Sequence, residues 1–291
     1  MGISIEGVQY LSELNAMYNR KVSKILDTIK VTQVENASSA VFAFEDRDVK
    51  GASVGREYTS PSVPRNSLNL ITVTVPLDRI DSSYSMSDLH EKRSQVGGGS
   101  SREALLKATV DDYNLKIEDK IIAAMSAGFT STPSNTPSAN ARDLFDKGFT
   151  ILKNSYAEED ICLLASSAFM TALSSDTQFS SSDYVDVRRF NGNEEMSRFV
   201  TFRGVKIYEI SGSVLPQTTA GSSDERLFMY AKGAICAGMT NPDKFINGSD
   251  ARNADITTRM SGDFGALVAQ ASGGVQLRFD GSAHSAKATI V

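Results

Sequence analysis

The apolar positions of the first thirty residues recur at helical spacing. Leu11, Leu14, Tyr18, Val22, Ile25 and Ile29 step by 3, 4, 4, 3 and 4. That places one apolar stripe on a helix over about residues 7–30, with Glu13, Arg20, Lys21 and Lys24 on the other face. Two readings stand open for it: a helix packed on its own core, or an arm packed on a neighbouring subunit. The pattern then changes. Ala40 to Phe44 is an apolar stretch of strand length, and Ile71, Val73, Val75 and Leu77 alternate with Thr72, Thr74 and Pro76, the pattern of a half-buried strand. Between the two lies a polar segment from Glu45 to Ser67, with Gly51, Gly55, Pro61 and Pro64 and no helical period. Loops beyond about 12–15 residues are uncommon in compact domains and are usually functional or disordered, and two strands bracketing this segment suggest a long excursion off the domain.

Helical spacing is most regular after the linker glycines Gly97, Gly98 and Gly99. Leu106, Val110, Tyr113, Ile117, Ile121 and Ala124 step by 4, 3, 4, 4 and 3. Ser100 and Glu103 have the spacing of a capping box, and Glu103–Lys107 and Asp112–Lys116 are favourable i,i+4 pairs. The spacing predicts a helix over 101–127, ended by Gly128 and roughly 40 Å long. Apolar on one stripe only, it should lie on a sheet as a strut. A turn-rich loop follows at 130–140, then a short helix at about 142–153. Beyond it, strands are expected at 161–165, over 199–210 as a pair turning near Arg203-Gly204, over 227–239, and in the tail near 254–260, 264–271 and 275–279. Ser166 or Ser167 should cap a short helix running through Leu173.

Composition narrows the chemistry. The 291 residues carry 30 basic and 35 acidic side chains, for a formal charge of −5, and 41% are apolar. This is globular composition, and the acidic balance argues against a nucleic-acid-binding domain, which is usually basic. No apolar run approaches the ~18 residues of a membrane helix, and the N-terminus has no secretory pattern. Met1-Gly2 does not open a myristoylation signal, since Glu6 stands where Ser or Thr is needed. Cys162 and Cys236 sit in apolar runs and read as small core residues. With His90 and His284 they share no zinc-ligand spacing, so no metal or cofactor is expected.

The motifs lead to no active site. Gly51-Ala52-Ser53-Val54-Gly55 matches the nucleophile elbow, but Arg56-Glu57-Tyr58 and two prolines follow where a helix must start. Gly97-Gly98-Gly99-Ser100 precedes a helix but lacks the Walker lysine. The paired carboxylates Glu158-Glu159-Asp160, Asp111-Asp112 and Glu194-Glu195 read as solvated faces, and the sequons at Asn36 and Asn247 carry no weight without a signal peptide. A large folded chain with an amphipathic arm, a long excursion and a strut helix suits a protein whose function is contact with its own copies.

From about Val8 to the end, this order of parts resembles the tailed-phage major capsid proteins with the HK97-type fold. Val41 to Leu77 resembles the protruding hairpin called the E-loop in that family. Ser101 to Ala127 resembles its spine helix, where a pattern like D-x-x-I-x-x-A recurs, as in Asp119-Lys120-Ile121-Ile122-Ala123-Ala124. Ile161 to Ala165 followed by Ser166 to Leu173 resembles the family's strand and "sP..y..L" helix, with Ser167 where proline is common. Asp176, Phe179 and Asp183-Tyr184 follow in the family's order. Arg203-Gly204-Val205-Lys206-Ile207-Tyr208-Glu209-Ile210 through Leu215-Pro216 looks like "G-f-x-I-y-e-S-x-x-L-P", and Tyr230 to Ile235 resembles the strand after it.

The resemblance implies an α+β protein with the HK97-like capsid fold: an N-terminal arm at 1–40, an extended E-loop hairpin at 41–77, a peripheral (P) domain at 78–140 with the spine helix 101–127, an axial (A) domain at 141–240, and a return to the P-domain at 241–291. It implies no enzyme and no cofactor. It implies self-assembly into pentamers and hexamers, an icosahedral shell enclosing double-stranded DNA without sequence-specific binding, a separate scaffolding protein and a portal as partners, no membrane, synthesis in the host bacterial cytoplasm and residence in the virion capsid. Because the E-loop lies over an adjacent subunit in that family, Arg47, Lys50, Arg56, Tyr58 and Arg65 are the expected inter-subunit contacts. Some family members form a Lys–Asn crosslink, for which Lys50 is a conceivable donor, with no acceptor assignable. The alternatives are an encapsulin-like compartment shell, a serine hydrolase using Ser53, and a tail-tube or decoration protein, the last disfavoured by the long helix.

Overall fold

The computed structural model describes residues 25–35, 37–45, 70–87, 101–131, 138–155, 160–175, 185–186, 199–210, 215–216, 224–247 and 255–281. The architecture is α+β, with one long helix joining two sheets and a separate two-stranded ribbon.

The chain enters through a 3-10 turn, Leu26–Thr28, and continues as strand β1, Lys30–Gln33. Residues 7–24 of the expected arm helix lie outside the described residues; at 25–30 the expectation is corrected. The Thr28 hydroxyl donates to the Ile25 carbonyl at 2.6 Å and also pairs with the Tyr230 hydroxyl in the core. That pairing holds a tight turn rather than an α-helical one. Val31-Thr32-Gln33 then runs as an edge strand parallel to β11, Ile235–Met239. Ile25 and Ile29 are buried as the stripe requires, but on a turn.

The ribbon comes next: β2, Ser39–Glu45, pairs antiparallel with β3, Leu70–Pro76, from Ser39↔Pro76 to Glu45↔Leu70. Its inward residues are Ala40, Phe42 and Val75, while Val41 is 64% exposed. Leu77 then turns the chain directly into β4, Asp78–Ser87.

Helix α1 spans Ser101–Gly128, about 42 Å at 1.5 Å per residue. Leu106, Val110, Tyr113, Ile117 and Ile121 are buried as their spacing predicts. At the end the stripe drifts: Met125, one full turn past Ile121, takes the core position expected of Ala124. The proposed cap at Ser100 and Glu103 lies outside the described side chains.

The first sheet is built on β13, Asp255–Val268, one unbroken strand of 14 residues where two tail strands were expected. It runs through because both its edges are paired. β4 occupies one edge from Asp255 to Phe264. β11 and β12, Asp243–Asn247, follow one another along the other. Between these two the register slips by one residue at Thr240–Pro242, a bulge site where proline's missing N–H costs nothing. The Thr240 hydroxyl accepts from the Asp263 N–H at 2.7 Å. α1 lies across β4 and β13.

The second sheet is mixed. Its order is β5 (Thr130–Ser131), β14 (Gly274–Asp280), β10 (Asp224–Ala231), β6 (Ile161–Ser166), β9 (Val205–Ile210), β8 (Phe199–Phe202) and β7 (Val185–Asp186). Every residue of β6 is buried, in the interior of the sheet between β10 and β9, and burial on both faces explains its unbroken apolar run. Helices α2, Ala141–Asn154, and α3, Ser167–Ser174, are capped by Asn140 and Ser166, whose side chains accept from Asp143 and Phe169 N–H groups. β8 and β9 join through Arg203-Gly204, both at positive φ, as a two-residue hairpin requires. Sheet membership does not follow a boundary at 240. β14, from the tail, enters the second sheet beside β10, and β11 belongs to the first.

Candidate subunit-assembly site

The ribbon β2–β3 is the element that leaves the body. Its inner face forms a small core of Ala40, Phe42, Val75 and Cys236, backed by Val34, Phe44, Val73 and Ala269 and separate from the main core. Its outer face pairs Val41 with Thr74 and Ala43 with Thr72. Its root rests on two glycines. Gly238 of β11 and Gly265 of β13 are register partners, so both present the same face of the sheet. A Cβ on Gly265 would overlap the Pro76 carbonyl oxygen. One on Gly238 would lie 2.6 Å from Ala40 Cβ and 2.8 Å from Leu77 Cδ2. Only glycine lets the ribbon come this close.

A charged seam ties α1 to the strand that follows the ribbon. Lys120 Nζ meets Asp78 Oδ2 at 2.7 Å, Lys116 Nζ donates to the Asp81 carbonyl at 2.8 Å, and Ser82 Oγ donates to Asp112 Oδ2 at 2.7 Å. Lys116 also pairs with Asp112 at 2.9 Å, the i,i+4 pair read from the sequence. Arg259 on β13 reaches Asp81 at 2.9 Å. The bond from Lys120 holds the Asp78 carboxyl below the ordinary carboxylate range, and Arg259 does so for Asp81 against a small opposing effect of burial. At Asp112 burial pushes the pKa up, yet Lys116 and Ser82 together hold it below its ordinary value. Beneath the seam, the Thr109 and Thr258 hydroxyls pair at 2.7 Å.

The far end of α1 is held by β14. Gln276, 5% exposed, donates through Nε2 to the Ser126 and Phe129 carbonyls at 2.8 Å each and to Met125 at 3.4 Å. Helix ends leave carbonyls without intrahelical partners, and one buried amide supplies them while linking the second sheet to the helix. The Leu-Pro motif is anchored nearby: Leu215 is buried and the Pro216 carbonyl accepts from Arg226 N–H at 3.0 Å. A shallow open groove lies between this end of α1 and Pro216, lined by Asp119, Ile122, Ala123, Ser126 and Ala127.

Reactive chemistry is muted in this arrangement. Cys162 and Cys236 are buried in β6 and β11, as their apolar neighbours predicted, and burial pushes the Cys162 thiol up to about 11. Among the described residues no group of three or more His, Cys, Asp or Glu converges as a metal site, and no described helix is long and apolar enough to cross a membrane. The expected contacts Arg47, Lys50, Arg56, Tyr58 and Arg65, like Ser53, lie outside the described residues; the stem that carries them is the β2–β3 ribbon. The glycine seat, the charged seam and Gln276 went unread. A signal existed for the first: glycine inside an apolar strand pattern marks close backbone approach, and Ile235-Cys236-Ala237-Gly238-Met239 is such a strand.

A spine helix beside two sheets, with a ribbon standing off the first, is the HK97-like capsid fold. Solved structures match it over most of their length. The capsid of Ralstonia phage GP4 aligns with a TM-score of 0.62 at 11% identity, covering 87% of each chain. The capsid of the cyanophage P-SCSP1u gives 0.57 at 16% identity, covering 89% of this chain and 88% of that one. The SrpI encapsulin of Synechococcus elongatus PCC 7942 gives 0.57 at 12%, covering 90% of each. A comparison with curated proteins found no match. The sequence matches the phage capsid protein family over residues 117–281, more than half its length, and the chain belongs to that family. It is a phage capsid protein with the HK97-like fold, a subunit of the virion's shell.

Proposed function

We propose that the subunit assembles into pentamers and hexamers that close around double-stranded DNA, and that residues 46–69, carried on the β2–β3 ribbon, reach over an adjacent subunit. The observation that carries this reading is the ribbon itself. An isolated two-stranded hairpin is marginal in water, and this one buries only Ala40, Phe42 and Val75 against Cys236 of the body while Val41 stands exposed on its outer face. Such an element is stable when something else covers it, and in a shell that cover is the next copy, through a heterologous contact that closes by rotation. Arg47, Lys50, Arg56, Tyr58 and Arg65 are then the contact side chains. The axial domain comprises mainly the second sheet with α2 and α3, and the peripheral domain α1 with the first sheet.

Contact with the genome is non-specific, since the net charge of −5 does not favour the counterion release that drives tight DNA binding. The protein acts without catalysis. A scaffolding protein and a portal assist assembly in the host bacterial cytoplasm. Cryo-electron microscopy of particles made with the neighbouring genes tests the reading. Five- and six-fold capsomers bridged by residues 46–69 and filled with nucleic acid are the expected result. Shells that enclose folded protein cargo would support the encapsulin alternative instead. Turnover of an ester substrate that Ser53→Ala abolishes would favour the hydrolase.

A further inference from the structure

We infer that the Gly238–Gly265 pair is a positioning element that sets the angle at which the ribbon leaves the body, and hence the direction in which residues 46–69 project. The inference rests on the reading of the ribbon as the contact arm for its functional meaning, but the seat itself is a property of one subunit.

Three observations converge on it. The two glycines are register partners on adjacent strands of the first sheet, so they form one bare patch rather than two unrelated sites. Both halves of the ribbon's root sit on that patch. Ala40 and Leu77 meet Gly238, and Val75 and Pro76 meet Gly265. The root is also closed on itself, since the Leu77 N–H donates to the Ser38 carbonyl at 2.9 Å. β2 and β3 therefore move together. The contact at Gly265 is with backbone, which cannot rotate away as a side chain would. Any Cβ there must lift the Pro76 end of the ribbon. At Gly238 the nearest atom is the Cβ of Ala40, a residue small enough for the clash to be removed by a second substitution.

The leverage is large. Seven residues at about 3.3 Å each give a ribbon roughly 23 Å long, so a tilt of about 10° at the root moves its far end by about 4 Å. Displacement on that scale changes which surface of a neighbour the excursion meets.

The test uses the full chain with spin labels on Glu45→Cys and Ser83→Cys, one at the far end of the ribbon and one on β4. The native thiols are buried and stay unlabelled under native conditions. Pulsed dipolar spectroscopy then reads the ribbon's position without any assembly. Gly265→Ala should shift the mean distance by about 4 Å or split the distribution, whereas Gly233→Ala, which meets nothing within 4 Å, should leave it unchanged. Gly238→Ala should shift it too, and adding Ala40→Gly should restore the original distance. If Gly265→Ala does not fold, the Gly238–Ala40 pair decides. An unchanged distance in a folded Gly265→Ala chain, or a Gly238→Ala shift that Ala40→Gly fails to reverse, overturns the seat. A shifted ribbon that still builds shells of unaltered diameter and yield would leave the seat standing and count against the contact-arm reading.

Discussion

The body of the subunit and its ribbon are stabilised on different scales. The body shares one continuous core from Ile25 to Phe279, in which α1, both sheets, α2 and α3 all take part. The described part of the ribbon contributes Ala40, Phe42 and Val75 to a separate small cluster, closed by Cys236 of β11. The body is a self-sufficient domain, and the ribbon is an attachment whose outer face is left for something else. A shell subunit needs this division. The body must keep its shape when it meets neighbours at different angles, and the contact element must be cheap to reorient.

The comparison is broken most severely in the body. Phe169 and Phe279 are fully buried and meet edge to face, centroids 5.2 Å apart. Phe279→Ala should destabilise the whole chain by about 3–5 kcal/mol, visible as a lower midpoint in urea by both circular dichroism and fluorescence. Phe42→Ala removes a ring of the same size from the ribbon's core. Its expected signature is local: amides of 39–45 and 70–75 lose hydrogen-exchange protection while the global midpoint moves much less. A full global shift would show that ribbon and body fold as one unit.

Gln276 is the next largest effect. Gln276→Leu leaves the Ser126 and Phe129 carbonyls without the amide that reaches them, at a cost of about 1–3 kcal/mol. Gln276→Glu should be worse, since it sets a carboxylate against the negative end of a helix. Thermal unfolding of the two variants ranks them.

The charged seam gives the smallest effect, and one that depends on pH. Asp78, Asp81 and Asp112 have folded pKa values below the ordinary 3.8. Each therefore contributes stability that is present above about pH 4 and is lost as pH falls through the lower folded value. The pairs are largely exposed, so the loss is small and screened by salt. Arg259→Ala should narrow the difference in urea midpoint between pH 6 and pH 3, and 1 M salt should do the same.

Much of this fold was legible because its elements advertise themselves by period. The stripe from Leu106 to Ile121 could only be a long helix, and Arg203-Gly204 between apolar runs could only be a tight turn. Where the reading failed, a distant partner decided the local structure. Ile25 and Ile29 continue a helical stripe on paper, but Tyr230, some two hundred residues away, captures Thr28 and fixes a turn. Tail residues 254–271 read as two strands because Ser261-Gly262-Asp263 looks like a break. Pairing on both edges carries β13 straight through it. Gly238 and Gly265 were visible as glycines in strands, but nothing in sequence says that they face each other or what lies on them. Gln276 alternates with Val275, Leu277 and Phe279 just as Arg278 and Asp280 do, and only the fold brings it to the end of α1.

The central claim is that the ribbon and the excursion it carries build the shell while the body folds without them. The most direct test compares the intact chain with one in which residues 46–69 are replaced by a short Gly-Asn turn. Each is expressed with the neighbouring assembly genes and examined by negative-stain electron microscopy after size-exclusion chromatography. The account predicts closed shells, or rings of five and six, from the intact chain. The shortened chain should keep its thermal midpoint but remain as free subunits. Closed shells from the shortened chain, in the same yield and diameter, would contradict it.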